Sequence, residues 1–337
     1  TVSSSCGAAM GSVFSFVVVV YGVFIVYKFY EMSHIAAERQ LKQPSYPQFI
    51  DFGTSLLYAC GFTLAHWIVR MVVMPVARSV ITRKRKWSER VYQAKLHRFG
   101  TAIFKSLWFS SFSVYSYLFL LRDASWFPAA LGGSGDTKQC WTDGYPFQDV
   151  SDAFRLYYIV ATGYHTSEMV FQLLFESDRP DFSEMLIHHM TAVFLLVFSF
   201  LMNFVRIGSL VLFIHDVSDL PTYLAKIFVD SPCSKTTFGF YLCMLAAWGY
   251  LRLYVFPAYV IKSAMFESVE QLNGEDVVGW YFFNGLMGVL YLLHLYWYFM
   301  FLKMGWHFVK KGETRDMQAN LTAMDLQKLK GGGKKDQ

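Results

Sequence analysis

Five ionisable side chains lie inside stretches of this chain that are otherwise almost wholly apolar. His188 and His189 are adjacent in one apolar run, and His215, Asp216 and Asp219 lie in the next. An Asp, Arg or Lys at the centre of a membrane helix costs at least about 2.5–3.5 kcal/mol, so such groups face a bundle interior, pair, and by default mark a functional site. His215 and Asp219 are four residues apart, and Asp216 and Asp219 three, which reads as one helical face. Three chemistries fit. Histidine with carboxylate support can act as a general base or nucleophile near neutral pH. The same inventory could ligate a metal or relay protons in a transporter. A polar knot that only sets helix register is the reading without chemistry.

The elements that must position these groups follow from composition. Charged residues make up 16% of the 337-residue chain and hydrophobic residues 54%, with 19% aromatic. A soluble domain carries about 25% charge, so the solvent here is lipid. Runs of about 20 mostly apolar residues suit membrane spans. Eight are expected, at 13–30, 50–75, 99–121, 154–175, 185–204, 207–229, 238–262 and 278–304, so the fold class is an all-α polytopic membrane protein. A tight turn over 203–208 joins the fifth and sixth. His188 near the start of its span and His215 near mid-helix should differ in depth by about 10 Å. A fifth helix beginning before Pro180, or a sixth ending soon after Pro221, would close that gap.

Basic residues cluster at Arg83, Lys84, Arg85, Lys86, Arg90, Lys95 and Arg98 and again beyond Lys303. The positive-inside rule puts both groups, and hence both termini, in the cytosol. The acidic loop with Asp123, Asp136, Asp143, Asp149 and Asp152 then faces the lumen. The net charge of +5 is explained by topology, and no nucleic-acid partner is expected. Cys6, Cys60, Cys140, Cys233 and Cys243 lack metal or redox spacing, and with only Cys140 luminal no internal disulfide is expected. No charged segment precedes the first apolar run, so no cleavable signal peptide is expected. Lys334 and Lys335 near the C-terminus have the spacing of a dilysine retrieval signal. Asn320-Leu321-Thr322 fits the glycosylation pattern but falls on the cytosolic side.

Asp181, His188-His189, Asn203, Arg206, Gly208, His215-Asp216, Ser218-Asp219 and Lys226 together resemble the signature motif of ceramide synthases in the TLC-domain family. Trp248 and Arg252 followed by Phe256-Pro257 resemble that family's penultimate helix. Asn284 and Leu293-His294-Leu295-Tyr296-Trp297 resemble its last one. Leu96–Trp108 resembles the entry to the domain, with His97-Arg98-Phe99-Gly100 where a Lys/Arg-Phe-Glu pattern is usual. The resemblance covers about 92–309, leaving 1–91 as two spans with a basic loop and 310–337 as a tail. A homeobox-like insert, present in many animal members, is absent.

The resemblance implies that the last six spans form a TLC-type barrel in the endoplasmic reticulum membrane, open to lipid and to cytosolic acyl-CoA. It implies N-acylation of a sphingoid base, with acyl-CoA as co-substrate and no metal or other cofactor. His188, His189, His215, Asp216 and Asp219 are the implied catalytic set. In one route His188 attacks the thioester to give an acyl-imidazole. His215, held by Asp216 or Asp219, takes a proton, and His189 polarises the carbonyl or acts as base. In the other the amine attacks directly and His188 is only a base. Asn203, Arg206, Lys226, Trp248 and Arg252 are the implied substrate-binding group. Three have an ordinary alternative: Arg206 as an interface anchor, Lys226 as a snorkelling side chain, Trp248 as packing. Besides membrane lipids, a homodimer or a small accessory membrane subunit is compatible with the family. Acyl length is linked there to the loop before the last helix, here within 262–280. The rival reading is a TLC protein that senses or transports lipid without turnover, with a proton-coupled transporter more distant.

Overall fold

Long apolar runs with few helix breakers fold as helices because every backbone group is then satisfied within its own segment. The computed structural model describes residues 24–85, 87–177, 181–272 and 277–311, and these contain eight principal helices and no strand. In chain order they are α1 (24–42), α2 (Gly53–Val80), α3 (Glu89–Ser116), α4 (Asp152–Phe175), α5 (Phe182–Leu201), α6 (Val205–Phe228), α7 (Ser234–Gln271) and α8 (Trp280–Lys311). The first expected span lies largely outside the described residues, and α1 continues to residue 42, well past its expected end at 30. The dilysine end and Asn320 also fall outside them.

Among the described residues four helices are long and apolar enough to cross a membrane: Phe49–Val80, Phe182–Leu201, Ser234–Gln271 and Trp280–His307. Helices α3, α4 and α6 occupy the other expected spans at suitable length. They carry the charges the bundle encloses, including Lys95, Lys105, Glu168 and Asp216, and this lowers their mean hydropathy. The chain is a multi-pass membrane protein. Helix α2 shows the lipid-facing character most clearly, exposing Leu56, Leu57, Leu64, Trp67, Met71 and Val72. Its inner side bears His66, stacked on Phe104 at 4.6 Å and bonded to the Thr101 hydroxyl, with the Lys105–Glu168 ion pair beside it.

The two ends of the bundle differ. At one end the acidic loop folds over the helix termini. Asn203, at φ 59° in the α5–α6 turn, donates its amide to the carbonyls of Pro146 and Gln148 at 2.7 and 2.9 Å. Arg206 donates to the Gln139 carbonyl and pairs with Asp143. Trp141 donates to Ser263 on α7 at 2.9 Å, and Thr137 to Glu267 at 2.7 Å. Within the loop, a side-chain carbon at Gly135 would lie 2.1 Å from the Ser125 carbonyl oxygen, so the strand-like crossing there requires glycine. Cys140 is buried in this loop, and burial pushes its thiol above the ordinary range, away from reactivity.

At the other end, Asp230 in the α6–α7 turn pairs with Lys95 at 2.8 Å and with Arg98. Burial by itself would raise the Asp230 carboxyl, but Arg98 and Lys95 more than offset this and hold it below the usual carboxylate range. A carboxyl depressed in the folded state contributes stability above its unfolded value, near pH 4, and loses it as pH falls. Asp230→Asn should therefore lower stability by about 1.5–3 kcal/mol at neutral pH. Thermal unfolding in detergent checks this, with the gap from the unmodified protein narrowing below about pH 4.

Candidate active site

Helices α5 and α6 leave the loop end as an antiparallel pair, touch only lightly, and enclose a cavity between them that α7 and α8 complete. On α6 its wall is the stripe Phe204, Ile207, Gly208, Val211, Leu212, His215 and Asp219. These positions recur every three or four residues, as one helical face requires, and span about 22 Å at 1.5 Å per residue. Leu195 and Leu196 of α5 and Phe283, Met287 and Leu290 of α8 make the rest largely apolar. Trp141, Val277 and Trp280 lie at the loop end, and His165, His188, His215 and Asp219 are the cavity's titratable lining.

His188 and His215 do meet, with ring centroids 6.5 Å apart. Neither expected adjustment of the helices is responsible. Helix α5 begins at Phe182, and α6 runs through Pro221 to Phe228. Counting from the turn resolves the depth: His188 lies thirteen residues before Leu201 and His215 ten after Val205. The difference of three residues is about 4.5 Å, within reach of two side chains.

The carboxylates stand differently from the expected arrangement. Asp219 lines the cavity and pairs with Arg252 of α7 at 2.7 Å. Asp216 is buried outside the cavity, and its Oδ2 has no hydrogen-bond partner among the described residues. Successive helical residues are 100° apart, so Asp216 lands on the flank of α6 that packs closely against α3. Neither carboxylate holds His215. Its Nδ1 lies 2.6 Å from the Val211 carbonyl oxygen, and its Nε2 lies 3.0 Å from Nε2 of His294 on α8. His189 is buried and outside the cavity lining.

The expected substrate-binding group is engaged elsewhere, and none of its members lines the cavity. Asn203 and Arg206 pin the loop, as described above. Lys226 sits over the Tyr223 ring at 4.9 Å. Trp248 donates to the His294 carbonyl at 3.3 Å and carries the Arg252 guanidinium 3.9 Å above its ring. Arg252 is fully buried and also donates to the Ser218 hydroxyl at 2.6 Å and the His215 carbonyl at 3.1 Å. Over Trp248–Ile261 helix α7 widens to π geometry, a form frequent at functional sites.

Two histidines were given no role from sequence, although His294 stands in the last-helix motif. His165 of α4 lines the cavity near His188, and His294 is fully buried against His215. The rule applied to the other intramembrane ionisable groups would have flagged both. Among the described residues no group of three or more His, Cys, Asp or Glu side chains converges as metal ligands would. His188 is the cavity histidine whose Nδ1 is buried with no hydrogen-bond partner among the described residues. An apolar pocket with a few convergent polar groups is the usual form of a ligand-binding site.

The chain belongs to the TLC-domain family, whose sequence pattern matches residues 98–303, from α3 to near the end of α8. It is 32% identical over 244 residues to human (Homo sapiens) ceramide synthase 4, covering 72% of this chain and 58% of that protein. It is 27% identical over 288 residues to ASC1-like protein 1 of rice (Oryza sativa subsp. japonica), covering 82% of this chain and 90% of the other. Ceramide synthase LOH2 of Arabidopsis thaliana is 32% identical over 167 residues, 48% of this chain and 55% of its own.

Proposed function

We propose that this protein is a ceramide synthase that transfers a fatty acyl group from acyl-CoA to the amine of a sphingoid base. The observation that carries the reading is His188, with an unpartnered ring nitrogen, in the wall of an apolar cavity long enough for an acyl chain. About 22 Å of α6 lines that cavity, against about 15 Å for one leaflet of a bilayer's hydrocarbon core. The names of the relatives add to it.

An unprotonated nitrogen of His188 attacks the thioester carbon. The carbon–sulfur bond breaks, and the ring N–H proton passes to the departing CoA thiolate. The amine then attacks the acyl-imidazole carbon, an amide forms, and the amine's proton returns to the imidazole. Asp219 lines the cavity and, anchored by Arg252, is the carboxylate placed to attract the incoming ammonium, which gives up one proton to solvent before its nitrogen attacks. Helices α3 to α8 make the barrel, and the basic end with Lys95 and Arg98 faces the cytosol of an endoplasmic reticulum membrane.

A second reading is lipid binding without turnover, favoured by one observation: both ring nitrogens of His215 are engaged within the protein. Purified protein in nanodiscs, given a long-chain acyl-CoA and a sphingoid base, separates the two. Ceramide detected by mass spectrometry supports the synthase. Binding of both lipids with no product overturns it and leaves the sensor.

A further inference from the structure

His294 is fully buried in α8, beyond the cavity lining, between Trp248, Phe256 and His215. Its contact with His215 settles where two protons lie. A carbonyl oxygen only accepts, so the 2.6 Å contact with Val211 requires a proton on Nδ1 of His215. A neutral His215 then has a bare Nε2. The facing nitrogen 3.0 Å away, Nε2 of His294, must carry the proton and donate it. The Nδ1 of His294 is left bare, buried and without a hydrogen-bond partner among the described residues.

We propose that His294 is a positioning residue that withholds His215 from the cavity. Its N–H occupies the one lone pair of His215 that could attack an electrophile or take a proton. Both nitrogens of His215 are thereby turned into the protein, although its ring lines the cavity. His188 keeps an unpartnered ring nitrogen, and the pair His188 and His215 divides into a reacting ring and a locked one. The cradle is built for this: Trp248 fixes the backbone carbonyl of His294, while Arg252 fixes the backbone carbonyl of His215. The proton placement stands on geometry, and its kinetic consequence rests on the acyl-transfer reading.

Diethyl pyrocarbonate tests this without requiring turnover. A bare ring nitrogen attacks a carbonyl of the reagent, ethyl carbonate leaves, and the other ring nitrogen loses its proton to solvent. Peptide mapping by mass spectrometry in nanodiscs follows His188 and His215 separately, with protein unfolded in detergent as the reference for full reactivity. In the unmodified protein His215 should react roughly tenfold more slowly than His188, the factor expected of one hydrogen bond of ordinary net strength. His294→Leu should bring His215 toward the rate of His188. His294→Gln, which keeps an N–H donor, should restore the protection. Equal labelling of the two histidines in the unmodified protein overturns the proposal. So does a folded His294→Leu variant in which His215 stays protected. If the Leu variant does not fold, the Gln variant and the unmodified protein decide, and rapid His215 labelling in either overturns it. Absence of ceramide formation with this labelling pattern intact would count against the synthase reading alone.

Discussion

His188→Ala is expected to cut ceramide formation by at least about a hundredfold, the lower end of what one proton-transfer or nucleophilic group contributes. The side chain is half-buried in the cavity wall and makes edge contact with Trp297 at 5.4 Å, so its loss opens a small space at a surface already hollow. Thermal unfolding should change little. Intact mass spectrometry after mixing with a long-chain acyl-CoA gives the sharper outcome. The unmodified protein should gain one acyl group on the peptide containing His188 and lose it on addition of sphingoid base. The Ala variant should gain none. A variant of normal abundance that keeps full activity would remove His188 from both the covalent route and the general-base route. Acyl transfer without any adduct in the unmodified protein would leave direct attack by the amine, with His188 as base.

The helices were legible because an apolar run can satisfy its backbone within its own segment in lipid only as a helix. The starts and ends of α4, α5 and α6, and the start of α8, fall within three residues of the expected runs. Helices α3, α4 and α6 fall short in hydropathy because the bundle uses them to enclose charge. The helical period read from sequence does put His215 and Asp219, four apart, on the cavity wall. Asp216 lies off that wall, because adjacency in sequence means a turn of 100° and a different neighbour. Contacts across helices were invisible. Nothing in the spacing of Arg252 reveals that it clamps Asp219, and nothing in the acidic loop foretells that Asn203 and Arg206 hold it down. Ionisable residues in apolar helices announce themselves, but their partners depend on how the helices pack.

Arg252 is where that dependence should cost most. Its guanidinium is almost wholly enclosed, pairs with Asp219, donates to Ser218 and the His215 carbonyl, and lies on the Trp248 ring. Breaking a buried pair by removing one partner costs about 3–5 kcal/mol, mainly because the other charge is left uncompensated. Asp219 keeps some access to the cavity, with 21% of its side chain exposed, so Arg252→Ala should fall at the lower end, about 3 kcal/mol. In thermal unfolding that is a drop of roughly 4 °C for a chain of this length. The double variant Arg252→Met with Asp219→Leu removes both charges at similar volume and should recover much of the loss, since apolar replacement of a buried pair is often neutral or better. It should not recover acyl transfer, because Asp219 is the carboxylate at the cavity wall. Stability restored with activity still absent would assign Arg252 to holding Asp219 and the His215 backbone in place. Equal loss of stability in the single and double variants would instead mean that the hydrogen bonds to Ser218 and His215, and not the ion pair, hold α7 to α6.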